Sequence, residues 1–244
     1  MVKKFLKSVI LREKASSEAF VSYLRKLGVQ IGEDVHFYGP DHTWVDITCP
    51  WLITIGDHVR ITHGVIILTH DYSWYVLKNL PGDPGRVLGA QSPVSIGNNV
   101  FIGMNAVITR GVSIGDNVII GAGSIVTRDC ESNSVYAGNP ARKIMSIEEY
   151  LEKRESRQFE EARTMVRLYR ERFGVLPPRE EFGEYFMLFS APEEAERIPG
   201  FLQKMKLGGG LLESRQYMHS HAPMFRSFEA FLEACLREEG ESLQ

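Results

Sequence analysis

Isoleucine or valine stands at positions 96, 102, 108, 114, 120 and 126, an unbroken step of six through the middle of the chain. With Ile, Leu and Val making up roughly a quarter of an average chain, such a run arises by chance on the order of a few times in ten thousand, so it needs a structural cause. A period of six fits neither an α-helix, at 3.6 residues per turn, nor a plain strand, at two. It fits a chain wound round a triangular prism, with one short strand and one corner per hexad and about eighteen residues per coil.

The residues between the aliphatics support this reading. A variant of Ile-Gly-acid/amide-Asp/Asn/His-Val recurs as Ile31–Val35, Ile55–Val59, Ile96–Val100 and Ile114–Val118. The last two copies are eighteen residues apart, one coil; the first two are twenty-four apart, four hexads. The aliphatic points into the prism, glycine follows where backbones approach closely, and Asp or Asn tolerates a left-handed corner. A second, smaller inward residue (Val35, Val59, Val65, Val100, Ala106, Val112, Val118, Ser124) completes each hexad. Such a solenoid needs covered ends.

Three segments flank or interrupt the prism. Residues 1–30 read as a helical cap, with Ser16-Ser17 at its N-cap, a stripe of Phe20, Val21, Leu24 and Leu27, and Gly28 as its stop. Residues 31–145 hold the hexads, broken at 73–93 by a structureless, proline-containing loop thrown out of the prism directly after a histidine. Residues 146–244 read as a helical extension: a stripe from Ile147 through Leu151, Phe159, Ala162, Val166, Tyr169 and Phe173 ending at Gly174, then helices at 179–187, 192–206 and 228–238, with Gly208–Gly210 as a hinge. This tail carries no catalytic motif and reads as an end cap and subunit-contact module, with acceptor recognition as its other reading.

A net charge of −3 argues against nucleic-acid binding. Cys49, Cys130 and Cys235 are odd in number and far apart, which points to free thiols in a reducing, cytoplasmic setting. The basic start (Lys3, Lys4, Lys7) has an apolar run too short for a secretory core or a membrane span. A helix packed on the body is the favoured reading there, and a segment resting on a membrane surface is the other.

The runs Val94–Gly103, Gly121–Asp129 and Ala137–Arg142 resemble the hexapeptide-repeat acyltransferases, on the branch of maltose, galactoside and streptogramin O-acetyltransferases. The resemblance covers about residues 31–145. It implies a mainly β fold, a left-handed parallel β-helix that forms a homotrimer, with acetyl-CoA bound between neighbouring prisms and no metal. It also implies a histidine acting as general base on a saccharide hydroxyl, at a position that falls here on His70. Histidine suits this work because its unperturbed pKa of about 6.5 leaves it mostly neutral at pH 7. A carboxylate or carbonyl is expected to orient its other ring nitrogen, with Asp46 or Asp71 as candidates. The cofactor positions that carry over are Gly103, Met104, Ala122, Thr127, Arg128, Arg142 and Lys143: small residues for the pantetheine arm, cations for the phosphates. Met104 and Met145 depart from the family pattern, and Lys143 replaces the charge missing at Met145.

Other readings stay open at this level. The runner-up takes an amine of an amino or nucleotide sugar as the acceptor in place of a hydroxyl, a choice expected to rest on the 73–93 loop with Trp74, Tyr75 and Lys78. A second enzyme class on the same scaffold, the γ-class carbonic anhydrases, would use zinc held by histidines such as His36, His42, His58, His63 and His70, although His58 and His63 fall at different points of their hexads. A third is a scaffold without catalysis.

Overall fold

In the computed structural model the step of six becomes three parallel sheets. The structure describes residues 11–82, 84–207 and 210–237; the basic start and Gly208-Gly209 lie outside them. The chain divides into two units, Met1–Tyr150 and Leu151–Gln244.

The first unit opens with helix α1, Ser17–Leu27, whose N-cap Ser16 accepts from the Ala19 amide and whose stop, Gly28, has φ +107°. Four coils follow. They are β1 (Gln30–Ile31), β2 (His36–Phe37) and β3 (Trp44–Val45); β4 (Ile53–Ile55), β5 (Arg60–Ile61) and β6 (Ile66–Ile67); β7 (Val94–Ile96), β8 (Val100–Ile102) and β9 (Val107–Ile108); β10 (Ser113–Ile114), β11 (Val118–Ile120) and β12 (Ile125–Val126). The hairpin β13 (Ser134–Ala137) and β14 (Arg142–Ser146) ends the stack. The sheet orders β1-β4-β7-β10, β2-β5-β8-β11-β13-β14 and β3-β6-β9-β12 make the three faces of a prism, a parallel β-helix.

The repeating aliphatics fill it. Ile55, Ile96 and Ile114 stack on one face, Ile61, Ile102 and Ile120 on the second, and Ile67, Ile108 and Val126 on the third, all at most 2% exposed. The smaller inward set is buried as expected except Val35, which is half-buried in the first coil. Ser124 sits inside without penalty because its Oγ accepts from the Gly138 amide at 3.2 Å. Asp34, His58, Asn99, Asn117 and Asn133 stack at one corner, each with φ between 53° and 57°. Side-chain bonds of 2.8 Å join Asn99 to Asn117 and Asn117 to Asn133. Helix α1 seals the first coil: Phe20 packs edge-on against Phe37 with centroids 5.0 Å apart, and Ser17 Oγ accepts from the Phe37 amide. That covers an otherwise open sheet edge.

The prism departs from the sequence expectation at its first coil and at its loop. Ile31 and Ile55 are direct neighbours in paired strands, so their twenty-four-residue spacing is one enlarged coil and not four regular hexads. The extra residues bulge at Gly39–His42 and at the 3-10 turn Pro50–Leu52. The loop after His70 is not structureless either. Its stem is an antiparallel bridge, His70 to Gln91, flanked by Asp71 N to Ala90 O at 3.0 Å and Ser92 N to Thr69 O at 2.9 Å, and it carries helix α2, Trp74–Lys78.

The second unit is helical. Helix α3, Ile147–Phe173, buries only Ala162 and Val166; Leu151 and Phe173 from the expected stripe are 58% and 59% exposed. Its core is aromatic, with Phe182, Phe189, Phe201 and Phe231 at most 1% exposed. The expected helix at 179–187 is instead two 3-10 turns, Arg179–Phe182 and Phe186–Leu188. The one at 192–206 splits at Pro199, which lacks an amide proton, into α4 (Pro192–Ala195) and α5 (Pro199–Met205). Helix α6, Leu211–Ser220, was not expected; it buries none of its residues, so its stripe is weak. Helix α7, Phe228–Leu236, starts at its Ser227 cap.

Candidate active site

His70 follows β6 at the edge where the third face ends and the loop stem begins. The register Trp44 to Ile66 and Val45 to Ile67 brings the residue after β3, Asp46, beside the residues after β6. Asp46 is 3% exposed and its Oδ2 lies 2.5 Å from His70 Nδ1. The same oxygen accepts from the Thr69 amide at 3.0 Å and from Thr69 Oγ1 at 2.6 Å, while Oδ1 accepts from the Thr48 amide at 3.0 Å. Burial works against the charged carboxylate, but the bonds from Thr69 and Thr48 outweigh it and hold its pKa well below the usual carboxylate range. An ionised carboxylate can only accept, so the neutral imidazole carries its proton on Nδ1. Nε2 then has the free lone pair, on a side chain 22% exposed. A fixed tautomer with a basic nitrogen at the surface is what proton abstraction requires.

Asp71 turns the other way. Its carboxylate accepts from Ser73, whose amide is 3.0 Å from Oδ1, and pairs with the Arg110 guanidinium. Hydrogen bonds from Ser73 and then Arg110 lower its pKa to about 2. Thr69, Thr48, Arg110 and Tyr72, whose ring meets the His70 ring edge-on at 4.9 Å, were not singled out from the sequence. Thr69, Thr48 and Tyr72 had only their proximity in sequence to positions 46 and 70 as a signal; Arg110 had none, and only the coil register brings it to Asp71.

The cofactor candidates fall in three places. Gly103, Met104 and Ala122 share one corner on adjacent coils: Gly103 N donates to Ile120 O at 2.8 Å and Gly123 N to Met104 O at 2.7 Å. Gly103 is buried, Met104 and Ala122 exposed. Thr127 and Arg128 are exposed at the far end of β12, on the same edge as His70, with Arg110 between them in register. Arg142 and Lys143 begin β14; Arg142 Nη1 donates to Ala141 O, and Lys143 Nζ lies 2.9 Å from Glu131 Oε2. Of the seven, Lys143 is engaged by a carboxylate, which raises its pKa through that hydrogen bond.

The histidines weighed for zinc are dispersed. His58 takes a corner rung with Nδ1 2.9 Å from Asp34 Oδ2, and His42 stacks on His63 with ring centroids 4.1 Å apart. Among the described residues no group of three or more His, Cys, Asp or Glu side chains converges on one point.

Residues 93–128 match the family model described as the hexapeptide repeat of succinyl-transferase. The chain is 46% identical over 151 residues to Protein CapG of Staphylococcus aureus, a match covering 62% of this chain and 81% of that one. Among solved structures it is similar to a maltose O-acetyltransferase from Clostridium difficile 630, at 30% identity over 59% of this chain and 81% of that chain, TM-score 0.39. It is also similar to a galactoside acetyltransferase in complex with coenzyme A, at 30% identity over 59% and 80%, TM-score 0.40. The hexapeptide prism and the extent of the CapG match carry one conclusion: the chain belongs to the hexapeptide-repeat acyltransferase family, enzymes that move an acyl group.

Proposed function

We propose that this chain is an O-acetyltransferase that moves an acetyl group from acetyl-CoA to a saccharide hydroxyl, with His70 as general base. The observation that carries the reading is the His70 Nδ1 contact with the buried Asp46 carboxylate, which leaves Nε2 as an acceptor at the surface. In this mechanism Nε2 takes the proton of the acceptor hydroxyl while that oxygen attacks the thioester carbonyl. The imidazolium, steadied by Asp46, returns the proton to the departing thiol as the ester forms. A positioned base of this kind contributes roughly 10²–10⁴ in rate.

The donor would lie along the corner of Gly103, Met104 and Ala122, where small residues leave the coil backbone open to a narrow arm. Its phosphates would meet Arg128 and Arg142, with Thr127 as a further hydrogen-bond partner. Lys143 joins only if it leaves Glu131. The Gly103–Met104–Ala122 corner precedes the third face and His70 follows it, at opposite ends in one protomer, which suits a donor held in the groove between two copies. We therefore take the prism as left-handed and the enzyme as a homotrimer. The outward side chains support association through the third face: there Ile66, Val107 and Ile125 are apolar and half-buried, whereas on the first Gln30, Thr54, Ser95 and Ser113 are polar. No helix among the described residues is long and apolar enough to cross a membrane. We place the enzyme in the cytoplasm, which suits its three free thiols and its donor.

The test is a transfer screen against sugars, nucleotide sugars and amines, read as free thiol released from acetyl-CoA, with His70→Ala alongside. Transfer to a sugar hydroxyl that His70→Ala abolishes supports the reading. Transfer to amines alone moves the acceptor to nitrogen, and full activity in His70→Ala removes the mechanism.

A further inference from the structure

Next to His70 the loop stem presents two more rings. Tyr72 meets His70 at a centroid distance of 4.9 Å and an interplanar angle of 76°. Trp74 continues the series at 6.2 Å and 61° from Tyr72. Tyr72 is 66% exposed, so much of its ring faces solvent.

The backbone under these rings is held from several directions. Asp71 N bonds Ala90 O, Ser92 N bonds Thr69 O, and His70 bridges to Gln91. On the other side the Asp71 carboxylate ties Ser73 and the Arg110 guanidinium from the next coil. Residues 71 and 73, on either side of Tyr72, are both fixed, so the ring stands on a rigid base. Exposed aromatic surface preset in this way costs little ordering entropy when something binds it.

We propose that Tyr72 and Trp74 form a stacking platform that holds the acceptor's sugar ring over His70, and that the Asp71–Arg110 pair presets it; this rests on the acyltransfer reading above. The chemistry favours a sugar over other occupants. One face of a pyranose is a sheet of C–H bonds, slightly positive, matching the negative face of an aromatic ring, while its hydroxyls project from the rim. A ring seated on Tyr72 therefore directs a rim hydroxyl toward the neighbouring imidazole. Tyr72 and Trp74 are specificity-determining residues in this account, and Arg110 a positioning residue.

The experiment uses the full chain and a panel of methyl glycosides of glucose, galactose, mannose and N-acetylglucosamine. Binding is read by saturation-transfer NMR from protein to ring C–H protons, and transfer by free thiol with acetyl-CoA. The expected result is a glycoside signal that survives in His70→Ala and is lost in Trp74→Ala and Tyr72→Ala. In steady state Trp74→Ala should raise the acceptor KM about tenfold, and Trp74→Phe should recover most of it, with the acetyl-CoA KM unmoved. Arg110→Ala should raise the acceptor KM in the same direction and by less.

A shift in the donor KM instead, a drop in oligomeric mass on Trp74→Ala, unchanged constants in every variant, or no signal from any glycoside would each overturn the platform. The two readings separate cleanly. A Trp74-dependent sugar signal with no transfer by the wild-type chain removes the acyltransfer reading alone. Transfer by the wild type with an acceptor KM indifferent to Trp74 and Tyr72 removes the platform alone.

Discussion

His70 Nδ1 and Asp46 Oδ2 lie 2.5 Å apart across twenty-four residues of sequence, joined because the strands before them are parallel neighbours on one face of the prism. The pair sets the imidazole tautomer, and the proposed chemistry follows from it.

Asp46→Asn should lower kcat by about 10²–10⁴ with little change in either KM. An amide nitrogen turned toward Nδ1 donates where the carboxylate accepts, which drives the proton to Nε2 and removes the base. His70→Ala should cost at least a hundredfold in kcat with donor affinity nearly unchanged. Steady-state kinetics on both variants check this; a KM-only effect in Asp46→Asn would contradict the orienting role.

Stability should fall in acid partly through Asp46. Its pKa is lowered in the folded chain, so the unfolded chain binds more protons as pH drops through the ordinary carboxylate range near 3.9. The stabilisation is present above that value and is lost progressively on acidification from about pH 5. Asp71 acts with the same sign. Urea unfolding of Asp46→Asn should show a flatter dependence between about pH 5 and 3 than the parent; a parallel dependence would show that folding does not lower the Asp46 pKa.

Gly103→Ala should separate two coils. A Cβ there would stand 2.5 Å from the Ala122 amide nitrogen and 2.8 Å from Ile120 O, all backbone. The cost should be about 1–3 kcal/mol, with the acetyl-CoA KM raised more than the acceptor KM. Gly89→Ala, which meets nothing within 4 Å, should stay within about 0.5 kcal/mol. Chemical denaturation measures both.

Arg128→Ala should raise the acetyl-CoA KM about tenfold, the size of one charge-assisted hydrogen bond, and the effect should shrink as salt rises. Lys143→Ala should change it by less than about twofold, because Lys143 is already paired with Glu131. Equal effects would show that Lys143 leaves its partner when the donor binds.

Of the three thiols, Cys49 should react first with an aromatic disulfide reagent. Cys49 is half-buried, while burial pushes the Cys130 and Cys235 thiols up to about 12. A thiol at that pKa holds almost no thiolate at neutral pH. One fast thiol and two released only by denaturant is the expected titration.

The hexads were readable because every signal in them is local: an inward aliphatic, a small residue at a close approach, an Asp or Asn at a left-handed corner. Helix α1 was readable for the same reason, from Ser16 at one end to Gly28 at the other. Where local signals are weak the reading failed. Helix α6 buries none of its residues, and the weak stripe over 192–206 carries an expected helix past Pro199, where the chain in fact breaks and restarts. The short helix on the loop stem has no side-chain cap to announce it.

The composition of the hexads was enough to dictate a prism, its inward residues and a break after Ile67 that leaves a histidine at the surface. Which carboxylate faces that histidine was a different kind of question. Read as four regular hexads, twenty-four residues would carry Asp46 a coil and a third from His70, onto another face. The coil from Val45 to Ile67 closes in twenty-two residues, its surplus taken up at the Pro50–Leu52 turn, so Asp46 arrives beside Leu68 and its carboxylate reaches His70 two residues further on. Likewise Arg110 reaches Asp71 only because stacking brings the third coil beneath the loop stem. Parallel pairing follows hydrogen-bond register and not residue count, and register is a property of the folded coils alone.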